Sequence, residues 1–251
     1  MSQPPNPRDR FITVSGRKPV LEALADERLT IDKVLVADNA GGPQISQLLR
    51  EAKRRDVEVL RVPPARVTKV SRNGRQDQGV VADIVAPSLR RLTDEVASSL
   101  DGPVLVLDGV TNPQNVGMIL RTVTAAGLAG VVLPRAGVPD LSPLVIKASA
   151  GVALEAPVLK ADDAASAVAT LRGSGFTVFG LAADASRSLW DARPFPAKAA
   201  FVLGSEHGGI SPAVAAQLGT WRSLPLANGV ESLNVAVTAG IVAYEVARRS
   251  I

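Results

Sequence analysis

The chain contains no cysteine and only one histidine, His207. Without cysteine there can be no disulfide bond, thiolate nucleophile or cysteine metal ligand. A single imidazole also argues against a histidine-rich metal centre and against a Ser-His-Asp triad. We therefore expect a protein that holds no metal ion and has no catalytic triad.

Long apolar runs and aromatic residues are also scarce. No run approaches the roughly 18 residues that would span a bilayer, and residues 1–10 are polar and proline-rich rather than a signal-peptide core. The sequence therefore predicts a cytoplasmic protein without a membrane segment. Aromatic residues make up 3% of the chain and hydrophobic residues 46%, so its cores should be built from Val, Leu, Ile and Ala.

The excess of positive charge is confined to the first part of the chain. Residues 1–100 hold 17 Lys and Arg against 13 Asp and Glu, whereas the remainder holds 11 of each. Nine basic side chains and three acidic ones fall within residues 50–75. Such clustering is typical of proteins that bind a phosphate backbone, although a solvated helix face gives the same pattern. If RNA is the ligand, the side chains expected to contact it are Arg17, Arg54, Arg55 and Arg72.

The chain divides into two α/β parts. We predict a disordered tail over residues 1–10, a small α/β domain over 11–85, a linker over 86–101 and a larger α/β domain over 102–251. In the small domain the hydrophobic pattern predicts strands at 33–37, 57–60 and 79–85, and helices at 44–55 and 63–70.

Continuous apolar runs mark the strands of the larger domain. They predict strands at 104–107, 130–133, 176–181, 200–203 and 222–224, with helices at 116–126, 142–148, 164–171, 212–218 and 233–249. Strands without polar alternation are buried on both faces, so the sheet should be mostly parallel with helices on each side. Ser232 is the expected N-cap of the last helix.

The fingerprint of dinucleotide-binding proteins is missing from the larger domain. Residues 108–115 follow its first strand and contain neither Gly-x-Gly-x-x-Gly nor a P-loop. This disfavours a conventional dehydrogenase and the common glycine-rich methyltransferase fold. Instead, polar residues and glycines border buried elements at 115–122, at 201–210, and at 224–226 continuing to 232–237. Active sites of α/β proteins form at such junctions, so we expect one site assembled from three loops.

The three segments resemble the motifs of the SpoU (TrmH) family of RNA ribose 2′-O-methyltransferases, members of the SPOUT class. The first motif, Asn-x-Gly-x-x-x-Arg, is matched by Asn115, Gly117 and Arg121. The second, Leu-Gly-x-Glu-x-x-Gly, is matched by Leu203, Gly204, Glu206 and Gly209. The third is matched by Leu224, Pro225, Leu226, Ser232, Leu233, Asn234 and Val235. Residues 16–24 and 78–82 resemble, more loosely, the family's small RNA-binding domain.

The resemblance implies a fold and a cofactor that composition alone does not. In this family the last helix threads a loop to form a trefoil knot, an exception to the rule that chains avoid knots. The protein should be a homodimer that binds S-adenosylmethionine. Carried onto this chain, the groups that hold the cofactor are those of Gly204, Leu224, Leu226, Leu233, Leu181 and Ala182.

The resemblance also implies the reaction and its residues. The substrate would be the ribose of a guanosine in large-subunit (23S) ribosomal RNA. A transfer-RNA 2′-O-methyltransferase and a non-catalytic RNA-binding module for ribosome assembly are the alternatives. The expected catalytic residues are Arg121, Asn115, Glu206, Ser232 and Asn234.

The chemistry requires a poor nucleophile, the 2′-hydroxyl, to lose a proton and to align with a sulfonium methyl group. Arg121 either assists deprotonation or stays cationic and stabilises the alkoxide. Gly117 is four residues before Arg121, and we expect it to leave space for the nucleotide. Asn115 could instead cap its helix, Glu206 could orient Arg121 or lie on the surface, and His207 is expected to be non-catalytic.

Overall fold

The structure is a computed structural model. It describes residues 11–250 apart from Arg28, Arg72, Asn73, Arg75, Pro87, Ala192, Arg193 and His207. The chain separates into two compact units, with the boundary between residues 87 and 88.

The first unit is a small α/β domain. Its elements are β1 (Phe11–Ser15), α1 (Arg17–Ala25), β2 (Ile31–Ala37), α2 (Pro43–Arg54), β3 (Glu58–Val62), α3 (Pro64–Ser71) and β4 (Val80–Val85). The described strands form a sheet in the order β1-β4-β2-β3. β4 runs antiparallel to both β1 and β2, whereas β2 and β3 are parallel. The sequence analysis did not predict β1 or α1. The first turn of α1 carries the basic residues Arg17 and Lys18 and no acidic one, which is unfavourable for the helix dipole.

The second unit is a larger α/β domain. Its elements are β5 (Arg90–Arg91), α4 (Asp94–Ser99), β6 (Val104–Leu107), α5 (Pro113–Ala125), β7 (Gly130–Pro134), α6 (Pro143–Ala148), β8 (Val158–Ala161), α7 (Ala164–Gly173), β9 (Thr177–Leu181), β10 (Ala199–Leu203), α8 (Pro212–Ala215), β11 (Thr220–Arg222) and α9 (Val235–Ser250). A 3-10 turn lies at Val152–Leu154.

The strands described for this unit form a sheet in the order β11-β9-β10-β6-β7-β8-β5, and every pairing is parallel. The prediction of an α/β fold with a parallel sheet is therefore confirmed. Every residue of β6, β7 and β10 is buried, as expected for strands covered on both faces.

The expected linker over residues 86–101 differs from the structure. Arg90 and Arg91 form β5, the polar edge strand of the larger sheet, and pair with Leu159 and Lys160. Three apolar side chains of the segment, Leu92, Ala97 and Leu100, belong to the core of the second unit. Charged residues are common on edge strands, which is why the stretch looked like a linker.

Two strands of the larger sheet also differ from the strands predicted from the sequence. β8 was not predicted because Lys160 interrupts its apolar run. Lys160 is buried, with a residue exposure of 5%, and its Nζ lies 2.5 Å from Oδ1 of Asp140. The last strand is Thr220–Arg222 rather than 222–224, so Leu224 lies in the loop beyond it.

Candidate active site

The strand order of the second unit reverses next to β6. β7 and β8 lie on one side of it, and β10, β9 and β11 lie on the other. In open α/β sheets, the crevice at such a reversal, outside the carboxyl ends of the strands, is the usual binding site. The segments that follow β6 and β10 therefore meet at this crevice.

Side chains from the three motif segments meet in one hydrogen-bonded triangle. Oε1 of Glu206 accepts hydrogen bonds from Nδ2 of Asn115, at 2.8 Å, and from Nδ2 of Asn234, at 2.9 Å. Asn234 Nδ2 also lies 3.1 Å from Oδ1 of Asn115, to which it donates. The three residues are widely spaced in the sequence, and the fold brings them into direct contact.

Asn115 is placed for this contact by the first turn of α5. The helix begins at Pro113, and Asn112 is its N-cap, with Oδ1 accepting from the backbone N–H of Gln114 at 2.9 Å. Asn115 is therefore not a cap, the alternative that its position allowed. Its side chain is buried, with a residue exposure of 4%, so both ends of its amide need partners.

Asn234 combines two roles at the start of α9. Its Oδ1 accepts from the backbone N–H groups of Ala236, at 2.9 Å, and Val237, at 3.4 Å. This is the geometry of an N-cap, and it leaves Nδ2 free for Glu206 and Asn115. The prediction that Ser232 caps the helix is wrong. Both residue types cap well, and the helix starts two residues later than expected.

Glu206 is held by a tight loop after β10. Ser205 and Gly209 exchange two backbone hydrogen bonds, of 2.9 and 3.0 Å. A Cβ atom on Gly204 would lie 2.1 Å from the carbonyl carbon of Gly209, so the loop can close only over glycine. His207 lies outside the described residues.

A buried carboxylate that the sequence analysis did not single out ties this loop to β6. Asp108 directly follows β6, is 8% exposed, and accepts from the backbone N–H of Ser211 at 2.6 Å. The sequence could have indicated Asp108, because it is a carboxylate directly after a predicted buried strand. Its hydrogen bond to Ser211 fixes the C-terminal end of the loop that carries Glu206.

A pocket opens at the carboxyl ends of β9, β10 and β11. All six residues predicted to hold the cofactor line it, together with the predicted site residues Glu206 and Ser232. The motif residues Leu203, Gly209 and Val235, to which the sequence analysis gave no role, also line the pocket. The sequence analysis did not single out the remaining lining residues, which are Ala183, Ser205, Ile210, Glu231 and Thr238. Most of the wall is apolar. Of the described lining residues, the charged ones are the carboxylates Glu206 and Glu231.

Arg121 and Gly117 lie on α5, where Arg121 faces solvent and Gly117 is packed against another helix. Arg121 is exposed and makes no hydrogen bond or ion pair with any described residue, so Glu206 does not orient it. Gly117 does not leave space for a nucleotide, and that expectation is wrong. A Cβ atom there would lie 2.6 Å from both Ala148 Cβ and the Val145 carbonyl oxygen. The glycine instead lets α5 pack directly on α6.

The predicted RNA-contacting arginines lie in the first unit. Arg55 donates through Nη1 to the carbonyl groups of Ala23, Leu24 and Asp26, and through Nη2 to that of Leu29. Its guanidinium is therefore bound by the end of α1.

Arg54 is exposed and forms ion pairs with Glu51 and Glu27, at 2.9 and 3.4 Å. Arg17 lines a different cavity, within the first unit. Arg72 lies outside the described residues.

No described helix is long and apolar enough to cross a membrane. Among the same described residues, no group of acidic or histidine side chains could hold a metal ion.

The fold and the loop-lined pocket are those of a SPOUT-type methyltransferase. Residues 102–244 match the SpoU rRNA Methylase family, and residues 13–89 match the RNA 2′-O ribose methyltransferase substrate-binding domain. The chain belongs to the SpoU rRNA methylase family, whose model covers more than half of it. It is an RNA methyltransferase of that family.

Similar proteins cover almost the whole chain. A Staphylococcus saprophyticus protein assigned to the TrmH family of tRNA/rRNA methyltransferases is 32% identical over 95% of this chain and 96% of its own length. The 23S rRNA (guanosine-2′-O-)-methyltransferase RlmB of Ralstonia nicotianae is 31% identical over 93% and 94%.

Solved structures share the fold. An RNA methyltransferase of the TrmH family from Porphyromonas gingivalis is 30% identical with a TM-score of 0.63, covering 96% of this chain and 91% of that one. An AdoMet-bound rRNA methyltransferase from Sinorhizobium meliloti has the same fold, at 24% identity and a TM-score of 0.63 over 97% and 89%.

Proposed function

We propose that the protein transfers the methyl group of S-adenosylmethionine to a ribose 2′-hydroxyl, of a guanosine, in large-subunit ribosomal RNA. One observation carries the proposal. The pocket lined by Gly204, Leu224 and Leu233 opens beside the triangle of Asn115, Glu206 and Asn234. Three motif segments thus supply both a binding site and a rigid frame for it.

The pocket suits the cofactor chemically. In the described part of the chain, the backbone N–H and C=O groups of Leu224, Leu226 and Leu233 make no hydrogen bond to other main-chain groups. They are available to pair with an adenine ring, whose faces the apolar wall would cover. The carboxylates of Glu206 and Glu231 favour a positively charged ligand. When bound, S-adenosylmethionine supplies an electrophilic methyl group on a sulfonium.

The protein's own contribution to the reaction is positioning and charge. The amides of Asn115 and Asn234 fix the Glu206 carboxylate, and with it the loop that forms one wall of the pocket. Arg121 is an exposed cation that makes no hydrogen bond or ion pair within the described part of the chain. It binds the RNA phosphate next to the reacting ribose and stabilises the negative charge on the 2′-oxygen, whose proton passes to solvent water as the methyl group is transferred. A guanidinium remains charged at neutral pH, which favours this role over that of a general base.

The choice of ribosomal RNA is supported by the likeness to RlmB over nearly the whole chain and by the substrate-binding unit. A transfer-RNA substrate is the second candidate, because the Staphylococcus relative is named as a tRNA/rRNA methyltransferase. An enzyme acting on ribosomal RNA would work in the cytoplasm during ribosome maturation.

Two further features of the family are part of the proposal. One is a trefoil knot in which α9 passes through a preceding loop. The other is a homodimer in which α5 and α9 meet a second copy. Met118, Val237 and Tyr244 support the dimer, because these apolar residues are between 42% and 55% exposed on the two helices.

Mapping ribose methylation in ribosomal RNA from cells with and without the gene tests the substrate. The proposal expects one 2′-O-methyl group to disappear from the large-subunit RNA when the gene is removed. Its loss from a transfer RNA instead would favour the second candidate. Titration with S-adenosylmethionine separates an enzyme from a non-catalytic assembly module, which would not bind the cofactor.

A further inference from the structure

The first unit contains a cavity of about 460 Å³ with a polar lining. The residues around it are Arg17, Asn39, Ala40, Gln44, Gln78 and Gly79. We propose that this cavity binds one unpaired nucleotide of the RNA substrate, taking both its base and its phosphate. The inference rests on the proposed function, since it assumes an RNA substrate, and it names the part of that RNA that the first unit recognises.

The sheet topology builds the cavity from three separate segments. β4 is antiparallel to both β1 and β2. The last residues of β1 and β2 therefore lie beside the first residues of β4, at one end of the strands. Backbone hydrogen bonds fix this end: Ala37 N–H donates to the Gly79 carbonyl at 2.8 Å, and Gly16 N–H donates to the Val80 carbonyl at 3.0 Å. The cavity is therefore a product of the fold rather than of one mobile loop.

A buried carboxylate holds the turn before β4. Asp77 is 5% exposed and accepts from the Gly79 N–H, at 2.9 Å, and from the Ser71 hydroxyl, at 2.9 Å. Next to it, Gln78 adopts a left-handed backbone with a φ of 50°. Such a conformation is uncommon for a residue with a side chain, and here it is fixed by the anchor beneath it.

The turn that contains Gln78 sets the position of Arg17. The Gln78 side-chain oxygen accepts from the Arg17 backbone N–H at 3.1 Å, and the Gln78 carbonyl accepts from Arg17 Nε at 3.3 Å. The Nη atoms of Arg17 make no hydrogen bond with any described residue. They are available to a ligand in the cavity.

The loop after β2 is fixed by a different side chain. Arg61 donates through Nη1 to the carbonyls of Ala37, at 3.0 Å, and Ala40, at 2.8 Å. With the loop held this way, the amides of Asn39 and Gln44 are not needed to stabilise it, and neither bonds to another residue in the described ranges. Two side-chain amides therefore face solvent at the rim of a cavity that contains a fixed arginine.

This set of groups matches one kind of ligand. Side-chain amides offer a donor and an acceptor together and pair with the edges of nucleic-acid bases. A guanidinium binds phosphate or stacks on a base. The described lining includes no carboxylate that would repel an anion, and the volume is within the usual range for small-ligand sites, about 300 to 1,000 Å³. A base within a duplex cannot present its pairing edge, so the nucleotide must be unpaired.

Binding of the full chain to two RNAs at fixed salt tests the proposal. One is a hairpin whose loop carries random unpaired nucleotides, and the other is a duplex with the same number of phosphates. The wild-type protein should prefer the hairpin by about tenfold or more, the discrimination expected of one good amide-to-base contact. The Asn39→Ala/Gln44→Ala variant should lose most of that preference while binding the duplex as before.

A matched control lies on the same helix. Gln47 is exposed on α2, three residues beyond Gln44, and does not line the cavity, so Gln47→Ala should keep the full preference. Equal binding of the two RNAs by the wild-type protein would overturn the proposal, and so would a preference that survives the double substitution. Neither result affects the proposed methyl transfer, whose failure would appear as absent methylation by a protein that still discriminates the RNAs.

Discussion

The side-chain amide of Asn234 lies 2.9 Å from the carboxylate of Glu206, and this hydrogen bond joins the start of the last helix to the loop after β10. The same amide caps α9 through its oxygen. One side chain therefore fixes both the helix start and one wall of the pocket. Its replacement should affect stability and cofactor binding together.

Asn234→Asp tests this coupling. It replaces the donor with a second carboxylate beside Glu206, so the two charges repel, although the cap is retained. We expect S-adenosylmethionine affinity and methyl transfer to fall at least about tenfold, and unfolding free energy to drop by about 1–3 kcal/mol. Calorimetric titration and urea unfolding would measure both. Asn228→Asp adds the same charge at an exposed position, and similar losses in that control would point to a general charge effect.

Gly204→Ala tests the closure of the Glu206 loop. The added methyl group would lie 2.1 Å from the Gly209 carbonyl carbon and 2.3 Å from the Ile210 nitrogen, so the backbone must move. We expect cofactor binding to be lost and stability to fall by about 1–3 kcal/mol. The control is Gly219→Ala, where a methyl group meets no atom within 4 Å. Retained cofactor binding in Gly204→Ala would show that the loop adapts.

The motif segments could be located from short local patterns beside buried strands, whereas the residues that line the pocket were expected from the family resemblance that those motifs carry. The sequence did not predict which side chains would pair. Glu206 contacts Asn115 and Asn234 rather than Arg121, and that choice is made only when β6, β10 and α9 come together. The role of Gly117 was misread for the same reason, because it depends on α6, which is distant in sequence.

Arg121 should contribute to the methyl-transfer step rather than to folding or cofactor binding. Arg121 is exposed and has no hydrogen-bond or ion-pair partner among the residues that the structure describes. Arg121→Ala should therefore keep the unfolding midpoint and S-adenosylmethionine affinity of the wild type but lose methyl transfer. Arg121→Lys keeps the charge and removes the planar fork, so partial activity is expected if charge stabilisation dominates. Single-turnover methyl transfer at saturating RNA is the measurement. Unchanged turnover in Arg121→Ala would contradict the assigned role.

The end of α9 should contribute a pH-dependent part of the stability. Burial raises the pKa of the Glu245 carboxyl group, but hydrogen bonds from Arg248 and Arg249 and their charges outweigh it, so the pKa lies below its usual value. A carboxylate with a lowered folded-state pKa stabilises the fold above its unfolded pKa of about 4.3, and this contribution is lost as the pH falls through the folded-state value.

Glu245→Gln should therefore be less stable than the wild type at neutral pH, and the difference should shrink below about pH 4. Urea unfolding at a series of pH values would show this convergence. Glu155→Gln removes an exposed carboxylate of the same unit and should give no comparable difference. A gap between wild type and Glu245→Gln that stays constant down to acid pH would rule out the ionised pair as its cause.

Two basic residues of α2 and its C-cap, Lys53 and Arg55, should have separable effects. Arg55 donates to four carbonyl groups near the end of α1, so Arg55→Ala should cost about 2 kcal/mol of stability. Lys53 is exposed without a described partner, and Lys53→Ala should leave stability unchanged. If Lys53 contacts an RNA phosphate, Lys53→Ala should reduce the slope of log binding constant against log salt concentration by about one. Unfolding curves and RNA titrations at several salt concentrations distinguish the two roles, and a normal unfolding midpoint for Arg55→Ala would contradict the structural one.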